Sequence, residues 1–113
     1  MSRAGDPGRA GFTYLWKYEV APEDAPAFET LYGPEGAWAR LFARSPAYLG
    51  TELLRSVDGS HYVTIDRWVD EASHTAFVES HRSEYERLDA AGDGLTRRET
   101  FVGSYETGRP ATA

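Results

Sequence analysis

The chain has 113 residues, 13% of them aromatic, no cysteine, and a formal net charge of -6. That length allows one domain with a modest core, and the missing cysteines exclude a disulfide framework, a thiolate nucleophile and a Cys-ligated zinc or iron–sulfur site. The positive charge is eleven Arg and a single Lys, Lys17, scattered along the sequence. Without a basic face to follow phosphates, nucleic acid is not expected as a partner.

Residues 1–11 and 107–113 are rich in Gly, Pro and small polar groups and read as mobile tails around one domain over 12–106. No apolar run reaches signal-peptide or membrane length, so the expectation is a cytoplasmic protein with no membrane partner. Within the domain, Val20 followed by Ala27-Phe28 is echoed by Val69 followed by Ala76-Phe77, an offset of 49 residues. Each copy is a strand running into a helix and then a further strand. That double strand-helix-strand order defines an α+β, ferredoxin-like split βαβ domain.

From Phe12 to Val20 the even positions are Phe12, Tyr14, Trp16, Tyr18 and Val20, and the odd ones are mostly polar. A period of two predicts a strand with one aromatic face. Pro22, Glu23 and Asp24 suit the first turn of a helix, where a missing N–H is harmless and acids meet the positive end of the dipole. Phe28, Leu31 and Tyr32 form its apolar stripe, and Trp38, Leu41 and Phe42 repeat that spacing beyond Gly33-Pro34-Glu35-Gly36. A Pro there removes a helical hydrogen bond, which predicts two short helices or a sharp kink, ended by Ser45-Pro46.

Tyr48 to Val57 and His61 to Val69 read as strands joined by Asp58-Gly59, a two-residue type I′ turn signal. In that register Leu53 faces Thr64, Thr51 faces Asp66 and Leu49 faces Trp68, with Leu54, Val63 and Ile65 on the opposite face. Apolar groups on both faces exceed what one helical layer covers, so a homodimer through the second sheet face is expected. A second long helix is predicted from Asp70 or Glu71 to about Ala91, stopped by Gly92-Asp93-Gly94, and a last strand from Thr96 to Tyr105.

Few residues suggest chemistry. His74 and His81 share a helix face, but seven residues at about 1.5 Å each hold their backbones roughly 10 Å apart, too far for one ion. His81, between Phe77 and Tyr85 on its stripe, is either a core-edge histidine bonded to backbone or the best available general base. Asp66 lies mid-strand, where Thr51 and Thr64 can satisfy it or where it serves as a second acid–base candidate. Trp16, Trp38 and Trp68 are explained by packing, and with Tyr14, Phe77 and Tyr85 they also suit the walls of a pocket for a small aromatic ligand. There is no Gly-rich phosphate loop, nucleophile elbow or calcium-type acidic cluster, and no metal or other cofactor is expected.

The run Tyr62-Val-Thr-Ile-Asp66-Arg-Trp68, followed by Phe77 and Tyr85, together with Gly36-Ala-Trp38 and Tyr48-Leu-Gly50-Thr51-Glu52-Leu53, resembles the antibiotic biosynthesis monooxygenase family over about Phe12 to Tyr105. The resemblance implies strand order 4-1-3-2, pairing of subunits into a dimeric α+β barrel, and a hydrophobic substrate cleft between helices and sheet. It implies a cofactor-independent monooxygenase acting on an anthrone- or quinol-like aromatic molecule, without metal or flavin. A non-catalytic small-molecule-binding or stress-related dimeric α+β barrel protein, and a haem-binding or haem-degrading protein, are the alternatives. The chain departs from the pattern in one respect. It has neither Asn nor Gln, so the Asn of the first strand that recurs as a functional residue in the family has no counterpart. The helical Trp of the haem-degrading branch falls at Phe77, and His81 does not align with that branch's His.

Overall fold

A computed structural model describes residues 11–107; nearly all of the two expected tails lies outside those residues. Four strands form one antiparallel sheet: β1 Gly11–Glu19, β2 Tyr48–Arg55, β3 Tyr62–Trp68 and β4 Arg98–Thr107. Their spatial order is β2-β3-β1-β4, the expected 4-1-3-2 read from the other edge. Helices α1 Ala25–Tyr32, α2 Ala37–Phe42, α3 Glu71–Ser80 and α4 Arg82–Asp93 all pack on one face.

The period of two in β1 decides which face. Phe12, Tyr14, Trp16 and Tyr18 point at the helices and lie opposite Trp68, Asp66, Thr64 and Tyr62 of β3. The rings gather into two clusters. Phe12, Tyr14, Trp68, Phe42, Leu41 and Phe77 form one, and Tyr18, Tyr62, Phe28 and Tyr32 form the other. Trp16 and Trp38 lie between them and pack on both.

The expected interruption at Gly33-Pro34-Glu35-Gly36 is present, with α1 ending at Tyr32 and α2 starting at Ala37. Asp70 caps α3, its Oδ1 accepting the Ser73 N–H at 2.8 Å. The long second helix, however, is broken at His81, whose φ of -121° and ψ of 31° leave the helical region. Side chains compete for the carbonyls there: the Ser80 hydroxyl donates to the Ala76 carbonyl at 2.8 Å, and His81 Nδ1–H donates to that of Phe77 at 3.1 Å. Such back-bonding weakens and bends helices, although the Phe77 carbonyl also keeps the His81 backbone N–H at 3.0 Å.

The hairpin also differs from expectation. The Gly59 N–H donates to the Ser56 carbonyl, which makes Val57 and Asp58 the central pair, and Gly59 follows with φ of 76°. Asp58 Oδ1 accepts from the Ser60 N–H and the Ser56 hydroxyl, each at 2.9 Å. The four-residue loop is centred where the two-residue turn would be, so Leu53 faces Thr64 and Thr51 faces Asp66 as expected. Leu49 does not face Trp68. A bulge at Leu49, with Gly50 at φ 140°, puts Tyr48 opposite Trp68 and leaves Leu49 59% exposed.

The other sheet face carries Leu15, Leu54, Val63, Ile65 and Tyr105, with a Glu52–Arg67 ion pair at 3.1 Å among them. No described element covers it. No described helix is long and apolar enough to cross a membrane.

Phe28 is fully buried at the centre of its ring cluster, 4.4 Å from Tyr32 and 4.8 Å from Tyr62 between centroids. Phe28→Ala removes that contact and leaves a cavity, for an expected loss of about 3–5 kcal/mol in urea unfolding at unchanged m-value.

Candidate functional site

Between the two ring clusters lies a cleft of about 200 Å³. Its geometry follows from what the strands place mid-sheet. At the strand ends large rings oppose large rings, Phe12 with Trp68 and Tyr18 with Tyr62. In the middle, Tyr14 and Trp16 oppose the smaller Asp66 and Thr64, and Thr51 lies beside Asp66 from β2. These short polar groups leave the space open. Tyr32 of α1, Trp38 and Phe42 of α2, and Tyr85 and Asp89 of α4 wall it, with Glu99 of β4 at the edge.

Asp66 is 8% exposed and accepts one hydrogen bond, from the Thr51 hydroxyl at 2.5 Å. Because Thr51 spends its proton on Asp66, the Tyr48 hydroxyl that contacts Thr51 is the donor in that pair. The result is a chain Tyr48 to Thr51 to Asp66, each member polarising the next. Burial pushes the Asp66 carboxyl up to about 6, against a smaller lowering by Thr51. The cleft tyrosines respond in the same sense: burial raises Tyr14, Tyr18, Tyr32 and Tyr85, so each is a neutral phenol at physiological pH.

Of the residues singled out from the sequence, Asp66, Tyr14, Trp16, Trp38 and Tyr85 come together on this cleft, and Trp68, Phe77 and His81 do not. Trp68 and Phe77 are core residues. His81 stacks on the Phe77 ring at 4.0 Å, with Nδ1–H committed to the Phe77 carbonyl. It does not line the cleft. His74, considered only as a metal ligand, instead packs on Phe12, Tyr14 and Trp68, and burial depresses it to about 4, leaving it neutral. Sequence reading did not select Tyr18, Tyr32, Phe42, Thr51, Thr64, Asp89 or Glu99 as lining residues. The hairpin register was a signal for Thr51 and Thr64, which share the face of Asp66. Nothing in the sequence marked the approach of α4 and β4. Among the described residues no group of three His, Cys, Asp or Glu could hold a metal ion.

The family model for antibiotic biosynthesis monooxygenase matches residues 12–86. The chain belongs to the antibiotic biosynthesis monooxygenase family. A comparison with curated proteins finds no match. Similar solved structures include a mutant of SnoaB, a cofactor-independent oxygenase from Streptomyces nogalater, at 21% identity and TM-score 0.69 over 92% of this chain and 99% of that one. The monooxygenase ActVA-Orf6 of Streptomyces coelicolor, solved with nanaomycin D, is 21% identical with TM-score 0.67 over 99% of this chain and 98% of that one. Rv0793 from Mycobacterium tuberculosis is 16% identical with TM-score 0.66, covering 91% and 100%. At these identities the likeness establishes a shared fold. In this monooxygenase-family chain Asp66 is a destabilised buried acid.

The sign of that destabilisation sets a pH dependence. The folded-state value, about 6, exceeds the ordinary 3.8, so the folded chain binds more protons between them and stability falls as pH rises through that window. Asp66→Asn keeps an acceptor for Thr51 and removes the charge. Urea unfolding is expected to show the variant about 2–3 kcal/mol more stable than wild type near neutral pH, with the difference vanishing near pH 4. A constant difference across that range would show that Asp66 is not the titrating group.

Proposed function

We propose that the chain is a cofactor-independent oxygenase of a hydroxylated aromatic molecule, an anthrone- or quinol-like compound, bound in the cleft with Asp66 as its base. The observation that carries this is a single buried carboxylate at the floor of a ring-lined cleft, where burial pushes it up to about 6. Flat aromatic walls suit a flat substrate. In an electron-rich anthrone, deprotonation of the hydroxyl or of the ring methylene gives an anion able to reduce oxygen directly. The methylene becomes a carbonyl: one oxygen atom enters the substrate, the other leaves as water, and the four electrons lost by carbon are those gained by oxygen.

The magnitudes are compatible with that role. For a hydroxyl at its value in water, near 10, moving the proton to a carboxylate near 6 is uphill by about 4 units, about 5 kcal/mol, a lower bound because burial in the cleft raises a phenol as it raises Tyr85. A turnover of about 10 per second corresponds to a barrier of about 16 kcal/mol, which leaves room for the oxygen step. An ordinary carboxylate would add roughly 3 kcal/mol to the proton transfer. His81, which lies off the cleft, is not assigned a catalytic role, and Trp68 and Phe77 hold the floor and the neighbouring helix in place. The haem alternative has less support. No His, Cys or Met lines the cleft, its tyrosines resist ionisation, and its carboxylates oppose the acidic side chains of haem.

Oxygen uptake with dithranol, a dihydroxylated dihydroanthracenone, tests the reading. Wild type is expected to turn it over with kcat rising through a pKa near 6. Asp66→Asn should lower kcat by about 10²–10³-fold and abolish that limb, whereas His81→Ala should change kcat less than about twofold. Equal kcat for wild type and Asp66→Asn would remove Asp66 as the base.

The uncovered sheet face supports a homodimer built by packing two such faces, as the family resemblance implies. A sheet apolar on both sides is stable in water when both are covered. Sedimentation equilibrium is expected to give a dimer for wild type and a monomer for Ile65→Lys, which places a charge at the centre of the face. A monomeric wild type at micromolar concentration would refute the pairing.

A further inference from the structure

All formal charge on the cleft has one sign. Asp66 lies at its floor, Asp89 and Glu99 at its rim, and neither an Arg nor the Lys lines it. Asp89 is one helical turn beyond Tyr85 on α4, and Glu99 lies opposite Tyr18 on β4. Three elements thus bring their acids to one set of rings. After burial, the forces that disfavour a Tyr85 phenolate are the charges of Asp89, Asp66 and Glu99. Glu99 and Asp89 act the same way on Tyr32, and Asp66 and Glu99 on Tyr18. Among the described residues neither Asp89 nor Glu99 forms an ion pair, though Glu99 accepts the Thr96 hydroxyl at 3.0 Å.

A second, independent feature points to a ligand. Thr64 is 3% exposed, lines the cleft, and its Oγ1 has no hydrogen-bond partner. The Tyr18 hydroxyl lies close enough for Thr64 to favour its ionised form, yet the pair does not close a hydrogen bond of acceptable geometry. A buried hydroxyl left open is unfavourable until something polar meets it.

We propose that the ligand is a basic aromatic, a fused-ring compound bearing a protonated aliphatic amine, with its rings among Trp16, Trp38 and Tyr85 and its ammonium at the rim between Asp89 and Glu99. The inference rests on the cleft being the aromatic-ligand site and names the class of compound that site selects. Ammonium groups are attracted both to carboxylates and to the faces of indole and phenol rings. A cavity of about 150 Å³ holds one benzene ring, so this cleft encloses little more than one, and a fused-ring ligand must reach the rim where Asp89 and Glu99 stand. The same charges explain why a cation is needed. An ionised substrate hydroxyl inside the cleft is disfavoured as the tyrosines are, and no side chain there offers a counter-charge. The ligand's own ammonium supplies it.

Calorimetric titration of the full chain with naphthylmethylamine, naphthalenemethanol and naphthoate, at neutral pH and low salt, separates ring from charge. The amine is expected to bind at least about tenfold more tightly than the alcohol, and naphthoate most weakly. In the Asp89→Asn/Glu99→Gln double variant the amine should lose most of its advantage while the alcohol stays within about twofold. Equal binding of amine and alcohol, or an amine preference that survives the double substitution, would overturn the proposal and leave the aromatic-cleft reading standing. Binding of none of the three would overturn that reading as well. Both rim residues are exposed, so the variant is expected to fold, and an unchanged urea midpoint verifies it.

Discussion

The antiparallel pairing of β1 with β3 is the contact on which the rest of the molecule depends. It puts Phe12, Tyr14, Trp16 and Tyr18 directly across from Trp68, Asp66, Thr64 and Tyr62 on one sheet face. Cross-strand neighbours on one face are close enough to pack, so the volumes of each pair decide how near a helix can come. Ring against ring at both ends draws α3 onto one end and α1 onto the other. Asp66 and Thr64 in the middle fill less, and the cleft is the volume they leave.

That arrangement explains why the fold tolerates a costly group at its centre. A carboxylate buried among rings and held by one hydroxyl loses more solvation than it regains, which is what its raised titration point expresses. The two ring clusters flank it and carry the packing, so the penalty falls on a region that contributes little to the core. Gly92 shows the same economy from the helical side. It lies against the Tyr32 hydroxyl, where any Cβ would collide, and so lets the end of α4 close down on the ring that walls the cleft.

The framework was legible in the sequence because it rests on period. The alternation in β1, the repeated i, i+3, i+4 stripes and the Asp-Gly turn set strand order, helix faces and the facing of Thr51 and Asp66. A four-residue loop centred on the turn signal preserved the register although the turn type differed. Departures came where one side chain overrode the period. The Ser80 hydroxyl and the His81 imidazole bond back to carbonyls of their own helix where it is interrupted, and the imidazole lies on Phe77. Trp68 and Phe77 were legible as aromatic but not as core or cleft, since both uses ask for the same residue type. Asp89 and Glu99 were invisible because exposed acids on a helix and an edge strand carry no pattern; only the tertiary approach of α4 and β4 gives them a common target.

The bulge at Leu49 joins the two sides of the sheet. Were the period of two unbroken, Leu49 would enter the helix-facing layer and Tyr48 would face outward. The extra residue, accommodated by Gly50 at φ 140°, exchanges them. Inward, the Tyr48 ring meets Phe42 and Trp68, and its hydroxyl completes the chain through Thr51 to Asp66. Outward, Leu49 stands exposed, beside a sheet face whose Leu54, Val63 and Ile65 also lack cover. One conformational choice at a glycine therefore brings the Tyr48 hydroxyl to the Thr51 that bonds the buried carboxylate and adds an apolar group to the outer surface. The hydroxyl chain on one side and the apolar contact on the other depend on the same backbone turn, so a residue with a β-carbon at position 50 would strain both together.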